Sequence, residues 1–197
     1  MKGEIAQAAT CSPFAKVADD LAVNGYHVIP IMQLSKVPGV YREKRWYPMR
    51  DWQRFREHPA SADQLAVWKS WPNANIGILT GTPAGEGRIL AAIDVDTDDL
   101  KIQAQILATL PYSPIRKIGK RGFTMFFRVP VGTKGFRTPI VELLTDTRQT
   151  VLPPSVHPET RQPYEWEGEL TLMKVRAWNI SNSSEELPND PGESSPS

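Results

Sequence analysis

Apolar residues along the chain recur with two different periods, and the changes of period mark out the elements. In residues 12–25 the apolar positions Phe14, Val17, Ala18, Leu21 and Ala22 lie at helical spacing and form one stripe. Ser12 can cap this helix, Pro13 suits its first position, and Gly25 suits its exit. Tyr26 to Met32 then reads as a strand in which Pro30 points to a sheet edge or a bulge. The next segment, Gln33 to Pro59, is long, polar and aromatic. It sets Lys36, Arg42, Lys44, Arg45, Arg50, Arg54 and Arg56 among Tyr41, Trp46, Tyr47, Trp52 and Phe55.

Ser61 and Gln64 have capping-box spacing for a short helix through Trp68. Asn75 to Gly81 reads as a strand running into a glycine turn, and Ile89 to Asp96 as an apolar strand ending in acids. A helix follows from about Asp98 to Leu110, with Thr97 as its expected cap, and Pro111 to Pro114 break it. Ile115–Ile118 and Phe123–Val129 are strand-like on either side of the basic turn Gly119-Lys120-Arg121-Gly122. Further short strands are expected at Pro139–Leu144, Gln149–Leu152 and Pro163–Trp166. Strands dominate the second half, which predicts an α+β fold with helices packed on a sheet. From about Asn179 the chain is Ser, Asn, Glu, Pro and Gly with almost no apolar residue, so residues 179–197 are expected to form a disordered tail behind one domain of residues 1–178.

Composition narrows the class without choosing the function. With 197 residues, 40% of them hydrophobic and 23% charged, the chain can bury one good core. A net charge of +1 means that any nucleic-acid surface must be a local patch. Cys11 is the single cysteine, which excludes a disulfide framework within one chain, and the three histidines are scattered. No apolar run approaches the ~20 residues that span a membrane. The expectation is a soluble, cytoplasmic protein.

The chemistry gathers around Asp94 and Asp96. On a strand they share a face, roughly 7 Å apart at Cα, and two like charges so placed need a proton or a cation between them. Either they hold a hard divalent metal or they are the polar end of an ordinary strand. Glu142, an acid inside the apolar run Ile140-Val141-Glu142-Leu143-Leu144, is the candidate third carboxylate. The alternative for Glu142 is an ion pair with Arg128, Arg137 or Arg148. Arg116, Lys117, Lys120 and Arg121 surround two glycines, a composition that suits phosphate oxygens or a solvated hairpin tip equally. Thr124 shares a face with Phe126 and Arg128 on the following strand. Prolines present Ser155 and His157 in Val151-Leu152-Pro153-Pro154-Ser155-Val156-His157-Pro158, as a hydrogen-bonding loop near phosphate or as a structural turn. Adjacency alone supports no hydrolase triad here.

Taken in order, these segments resemble the N-terminal domain of bifunctional DNA primase/polymerases, the prim-pol branch of the archaeo-eukaryotic primases. The resemblance runs over about residues 14–168 through Leu21-Ala22-Val23-Asn24-Gly25-Tyr26-His27-Val28-Ile29-Pro30-Ile31, Lys36-Val37-Pro38, a tryptophan (Trp46 or Trp52), Trp68, Asn75-Ile76-Gly77-Ile78 with Thr80-Gly81, and Ile93-Asp94-Val95-Asp96. It ends at Pro153 to Pro158 and Tyr164-Glu165-Trp166. The resemblance implies an RRM-like catalytic palm packed against an N-terminal α/β unit, and metal-dependent nucleotidyl transfer from NTPs or dNTPs on a single-stranded DNA template. The family's two-acid motif falls on Asp94 and Asp96, its later acid on Glu142, with Mg²⁺ or Mn²⁺ between them. Its phosphate-binding histidine falls on Thr124, so Lys117, Lys120 or Arg121 must take that contact or activity is weakened.

Three functions follow as expectations. The first is primer synthesis in phage or plasmid replication, with Ser155 and His157 near the nucleotide. The second is a degenerate, non-catalytic module that binds nucleic acid or a helicase. The third is a metal-dependent nuclease built on the same acids. The sequence contains no P-loop, so a replicative helicase is expected to be a separate partner.

Overall fold

The computed structural model describes residues 11–113, 115–146, 148–168 and 176–177; the expected tail lies outside them. Ser12 caps the first helix, α1 (Pro13–Val23), by accepting the Ala15 N–H at 3.2 Å, and the stripe of Phe14, Ala18 and Leu21 is buried. Gly25, at φ 86°, turns the chain out of the helix in a conformation that glycine adopts freely. The chain then enters β1 (Val28–Ile31), which pairs antiparallel with β4 (Asn75–Leu79). On its other side β4 pairs with β10 (Gln149–Leu152), so β1 is an edge strand of this three-stranded sheet and tolerates Pro30.

The segment 33–59 is more regular than its composition suggests. It forms a hairpin of β2 (Gly39–Arg42) and β3 (Arg45–Pro48), then a short 3₁₀ helix, Trp52–Arg56. Its aromatic residues turn inward: Phe55 is buried, and Trp46 and Trp52 pack against the core. Phe14 and Phe55 both meet the Trp68 ring edge to face, at 6.0 and 5.2 Å between centroids. Trp68 belongs to α2 (Ala62–Lys69), which begins with the expected capping box: Ser61 accepts the Gln64 N–H while the Gln64 side chain accepts the Ser61 N–H.

The second sheet has the order β11-β6-β7-β5-β9-β8, built from β5 (Arg88–Val95), β6 (Arg116–Ile118), β7 (Phe123–Pro130), β8 (Phe136–Arg137), β9 (Val141–Leu144) and β11 (Glu165–Glu167). All these pairings are antiparallel; β12 (Arg176–Ala177) adds a parallel contact to the far end of β7. Strand alternation divides the sheet into two faces. Ile89, Ala91, Ile93 and Val95 of β5, with Phe123, Met125, Phe127 and Val129 of β7, form one apolar face. Ile106, Leu107 and Leu110, in and just after the helix that follows β5, pack on it. Leu90, Ala92, Phe126 and Leu144 face the other way and share one core with Phe14, Ile29, Ile76, Ile78 and Leu152 of the N-terminal unit.

The result is α+β, as expected, with the N-terminal unit seated on one face of the larger sheet. One cap is corrected: α3 spans Leu100–Thr109 and its N-cap is Asp99, whose carboxylate accepts the N–H groups of Lys101 and Ile102 at 2.8 and 3.2 Å. Thr97 stands too early and instead accepts the Asp99 N–H. A carboxylate also complements the positive end of the helix, which a threonine does not. Among the described residues no helix is long and apolar enough to cross a membrane.

Candidate active site

The sheet register sets a line of polar side chains across its width. Lys117 of β6 lies opposite Thr124 of β7, Thr124 opposite Asp94 of β5, Asp94 opposite Glu142 of β9, and Glu142 opposite Arg137 of β8. Directly opposed residues on antiparallel strands share a face, and this is the face that carries Leu90 and Ala92. Toward the end of β5 the apolar residues give way to Asp94 and Asp96. The floor of the inter-sheet core thus becomes the floor of a cleft of about 450 Å³.

Asp94, Asp96, Glu142, Lys117, Lys120, Arg121, Thr124 and His157 all line this cleft. The N-terminal unit supplies its opposite wall through Lys36, Gln149 and Thr150. Gly122 makes the assembly possible. At φ 56°, with an added Cβ only 1.9 Å from the Val95 carbonyl oxygen, this position admits glycine alone. The close approach presses the basic turn against the end of β5, where Arg121 Nε reaches Asp96 Oδ1 at 2.9 Å.

The cations of the turn have different fates. Lys120 pairs with Glu159 at 2.5 Å and Arg121 with Asp96, both near solvent. Lys117 is buried, donates to Thr150 Oγ1 at 2.9 Å, and lies 5.2 Å from the Tyr164 ring centroid. Burial pushes its ammonium down to about 8; the negative charge of Asp94 opposes the shift and the positive charge of Lys36 adds to it.

His157 is nearly buried and borders the same cleft. Its Nδ1 accepts the backbone N–H groups of Glu159 and Thr160 at 3.2 and 3.3 Å, so Nε2 carries the proton. Burial, followed by the charge of Lys36, lowers its pKa, which keeps the ring neutral.

Ser155 is not brought to the cleft. It is fully buried, accepts the Ile76 N–H at 2.8 Å and donates to the Ile76 carbonyl at 3.2 Å. Asn75 brackets Val156 in the same way, with bonds of 3.1 and 3.0 Å. The proline loop is therefore stitched to β4, and the stitching holds His157 in place.

Each carboxylate is turned to a partner. Asp94 Oδ1 accepts the Thr124 hydroxyl at 2.5 Å, Asp96 meets Arg121, and Glu142 lies 3.8 Å from Arg137 and 3.9 Å from Arg148. Glu142 thus has two of the three ion-pair partners open to it from sequence; Arg128 faces Glu86 instead. Among the described residues no three His, Cys, Asp or Glu side chains stand together as a metal cluster. The donor set nonetheless fits a hard dication: three carboxylates on one cleft, two of them cross-strand neighbours and the third two residues along the same chain segment.

The family model for the bifunctional DNA primase/polymerase N-terminal domain, Prim-Pol, matches residues 18–189. The chain belongs to the Prim-Pol family. No curated protein matches the sequence. As a Prim-Pol domain it falls in a family of nucleotidyltransferases that act in DNA replication, with nucleic acid and nucleotides as substrates. Thr124 stands where the resemblance places a histidine, between Lys117 and Asp94 in the polar line. Several cleft residues escaped sequence reasoning as site residues. Thr150 and Gln149 sit on an inner-looking strand, and Tyr164 in a loop. Lys36 was visible as part of the family pattern, but its place opposite the acids follows only from the packing of the two sheets.

Proposed function

We propose that the cleft binds a nucleoside triphosphate, NTP or dNTP, and transfers its nucleotidyl group to a primer growing on single-stranded DNA during phage or plasmid replication. The observation that carries this reading is the in-register line of Lys117, Thr124, Asp94 and Glu142 at the mouth of one cleft in a Prim-Pol chain. Asp94, Asp96 and Glu142 would hold Mg²⁺ or Mn²⁺. Such ions lower the pKa of a 3′-hydroxyl and offset the charge of the triphosphate and of the departing pyrophosphate.

The chain's own residues bind and orient. Lys117, the buried cation nearest Thr124, takes the phosphate contact that the family's histidine would make. The Nε2–H of His157 donates to a second phosphate oxygen. Thr124 holds Asp94 in orientation through its hydroxyl. Lys120 and Arg121 are released to phosphate oxygens as their carboxylates find other partners, and Lys36 closes the charged rim. Ser155 acts on the nucleotide only through the loop that it anchors. The working setting is the cytoplasm, with a separate replicative helicase as the partner such a domain serves.

A second reading, a non-catalytic module that binds nucleic acid, is favoured by Thr124 in the histidine's place and by carboxylates already engaged with arginines. Labelled-nucleotide incorporation on primed and unprimed single strands, with Mg²⁺ and with Mn²⁺, separates the readings. Incorporation that Asp94→Asn and Asp96→Asn each abolish is expected. DNA binding without incorporation supports the module, and strand degradation without nucleotides supports a nuclease.

A further inference from the structure

A second charged groove lies on the N-terminal unit, between the β2–β3 hairpin, the 3₁₀ helix and α2. Its volume is about 690 Å³, and Arg42, Arg50, Arg54 and Tyr47 line it above the buried side chains of Phe55 and Trp68. Its chemistry differs from that of the catalytic cleft. In the cleft, Lys120, Arg121 and Arg137 each face a carboxylate. In the groove no carboxylate is among the lining residues, and among the described residues none of the three arginines forms an ion pair.

Two of these arginines are instead laid against rings. The Arg42 guanidinium stands 4.8 Å from the Tyr47 ring centroid, and that of Arg54 4.8 Å from the Phe55 centroid. A ring below a guanidinium fixes its plane while leaving its N–H fork free for oxygen acceptors. Three uncompensated forks in one groove are matched by a chain of phosphates spaced along a backbone. The half-buried ring of Tyr47, with exposed Pro48 beside it, offers a face on which a base can stack.

We infer that this groove binds single-stranded nucleic acid, gripping phosphates with Arg42, Arg50 and Arg54 and stacking a base at Tyr47. The inference rests on the cleft reading only for the identification of that strand as template. A single strand suits the groove better than a duplex, because a duplex keeps its bases stacked inside and presents phosphates alone to an aromatic wall. The groove is also joined to the cleft along the chain. Lys36, in the connection leading into β2, lines the cleft, and the Met49 N–H at the groove donates to the Pro38 carbonyl of that connection at 2.8 Å. This connection ties one wall of the cleft to the groove.

The test is fluorescence anisotropy of the full chain with labelled oligothymidylate and with a duplex of equal length, each titrated over a range of salt concentrations. For the triple variant Arg42→Ala, Arg50→Ala, Arg54→Ala, three lost phosphate contacts at about 0.7 each should flatten the single-strand log K against log salt slope by about 2. Single-strand affinity at low salt should fall at least tenfold, with duplex affinity changing much less. Arg42→Lys should keep the slope and lose affinity, because charge remains while the stacked fork is gone. Unaltered melting of both variants confirms that they fold. Unchanged slope and affinity, or equal losses for single strand and duplex, would overturn the inference. Asp94→Asn keeps its groove, so it should bind the oligonucleotide with the wild-type slope. Binding that passes this test in a protein with no incorporation activity would refute the catalytic reading and leave the groove standing.

Discussion

Lys117→Met should make the protein more stable at neutral pH and less able to use nucleotides. Lys117 is 7% exposed and its folded pKa is about 8 against an ordinary 10.5. A shift of that size, at about 1.4 kcal/mol per unit, costs the fold about 3 kcal/mol wherever the lysine is charged in both the folded and the unfolded chain. The sign follows from proton counting. The folded pKa is the lower one, so between about 8 and 10.5 the unfolded chain binds more protons and stability rises with pH. Below that window the cost is present in full, and above it the cost is gone. Methionine removes the cost but strands the Thr150 hydroxyl, a loss of about 1 kcal/mol. The net gain at pH 7 is about 2 kcal/mol, or roughly 4–8 °C in Tm for a chain of this length.

The assay is thermal melting of variant and wild type side by side from pH 7 to pH 10. Burial raises the pKa of both Tyr26 and Tyr164, so wild-type stability also falls as pH passes the ordinary tyrosine value. The difference between the two proteins largely removes that contribution and isolates Lys117. The difference should shrink steadily above pH 8. A lower Tm for the variant at pH 7, or a difference indifferent to pH, would refute the account of Lys117 as a buried, costly cation. In parallel the apparent KM for nucleotide should rise about 10- to 100-fold, the worth of a charge-assisted hydrogen bond of roughly 1.5–3 kcal/mol. Stability given up at a site for the sake of binding is the trade expected of a functional lysine.

Three further outcomes follow from the same geometry. Arg121→Gln frees Asp96 from an exposed ion pair worth up to about 1 kcal/mol, so Mn²⁺ affinity measured by electron paramagnetic resonance should tighten up to about fivefold; weaker binding would mean that Arg121 assists the ion. Thr124→His should lower incorporation and cost about 1–3 kcal/mol, because the position is buried, crowded by Lys117 and bonded to Asp94; a gain in activity would show that Lys117 has not taken over the histidine's role. Ser155→Ala should cost about 2 kcal/mol in chemical denaturation by orphaning the Ile76 N–H, and should weaken nucleotide binding only through displacement of His157.

What the sequence made legible and what it hid divide along one line: whether the information was local. Alternation in Ile93-Asp94-Val95-Asp96 put both acids on one face, and an acid within an apolar run singled out Glu142; the register then made Asp94 and Glu142 neighbours. The capping box at Ser61 and Gln64 was equally local and is present. The β2–β3 hairpin was hidden because its turn places Glu43 and Lys44 at φ 53° and 60°, where Asn-Gly or Asp-Gly would have announced it. Ser155 and His157 were both candidates for the nucleotide, yet a single intervening residue, Val156, separates a buried stitch from a cleft wall. The basic turn shows the limit most clearly. In sequence, Lys117, Lys120 and Arg121 are one cluster of interchangeable cations. Their difference is created by residues far along the chain: Thr150 and Tyr164 bury Lys117, Glu159 holds Lys120, and Asp96 holds Arg121. Of the three, Lys117 alone is buried without a carboxylate bonded to it, and it lies directly across from Thr124. A phosphate group entering the cleft would therefore relieve the desolvated charge of Lys117, whereas at Lys120 or Arg121 it must first compete with an existing ion pair.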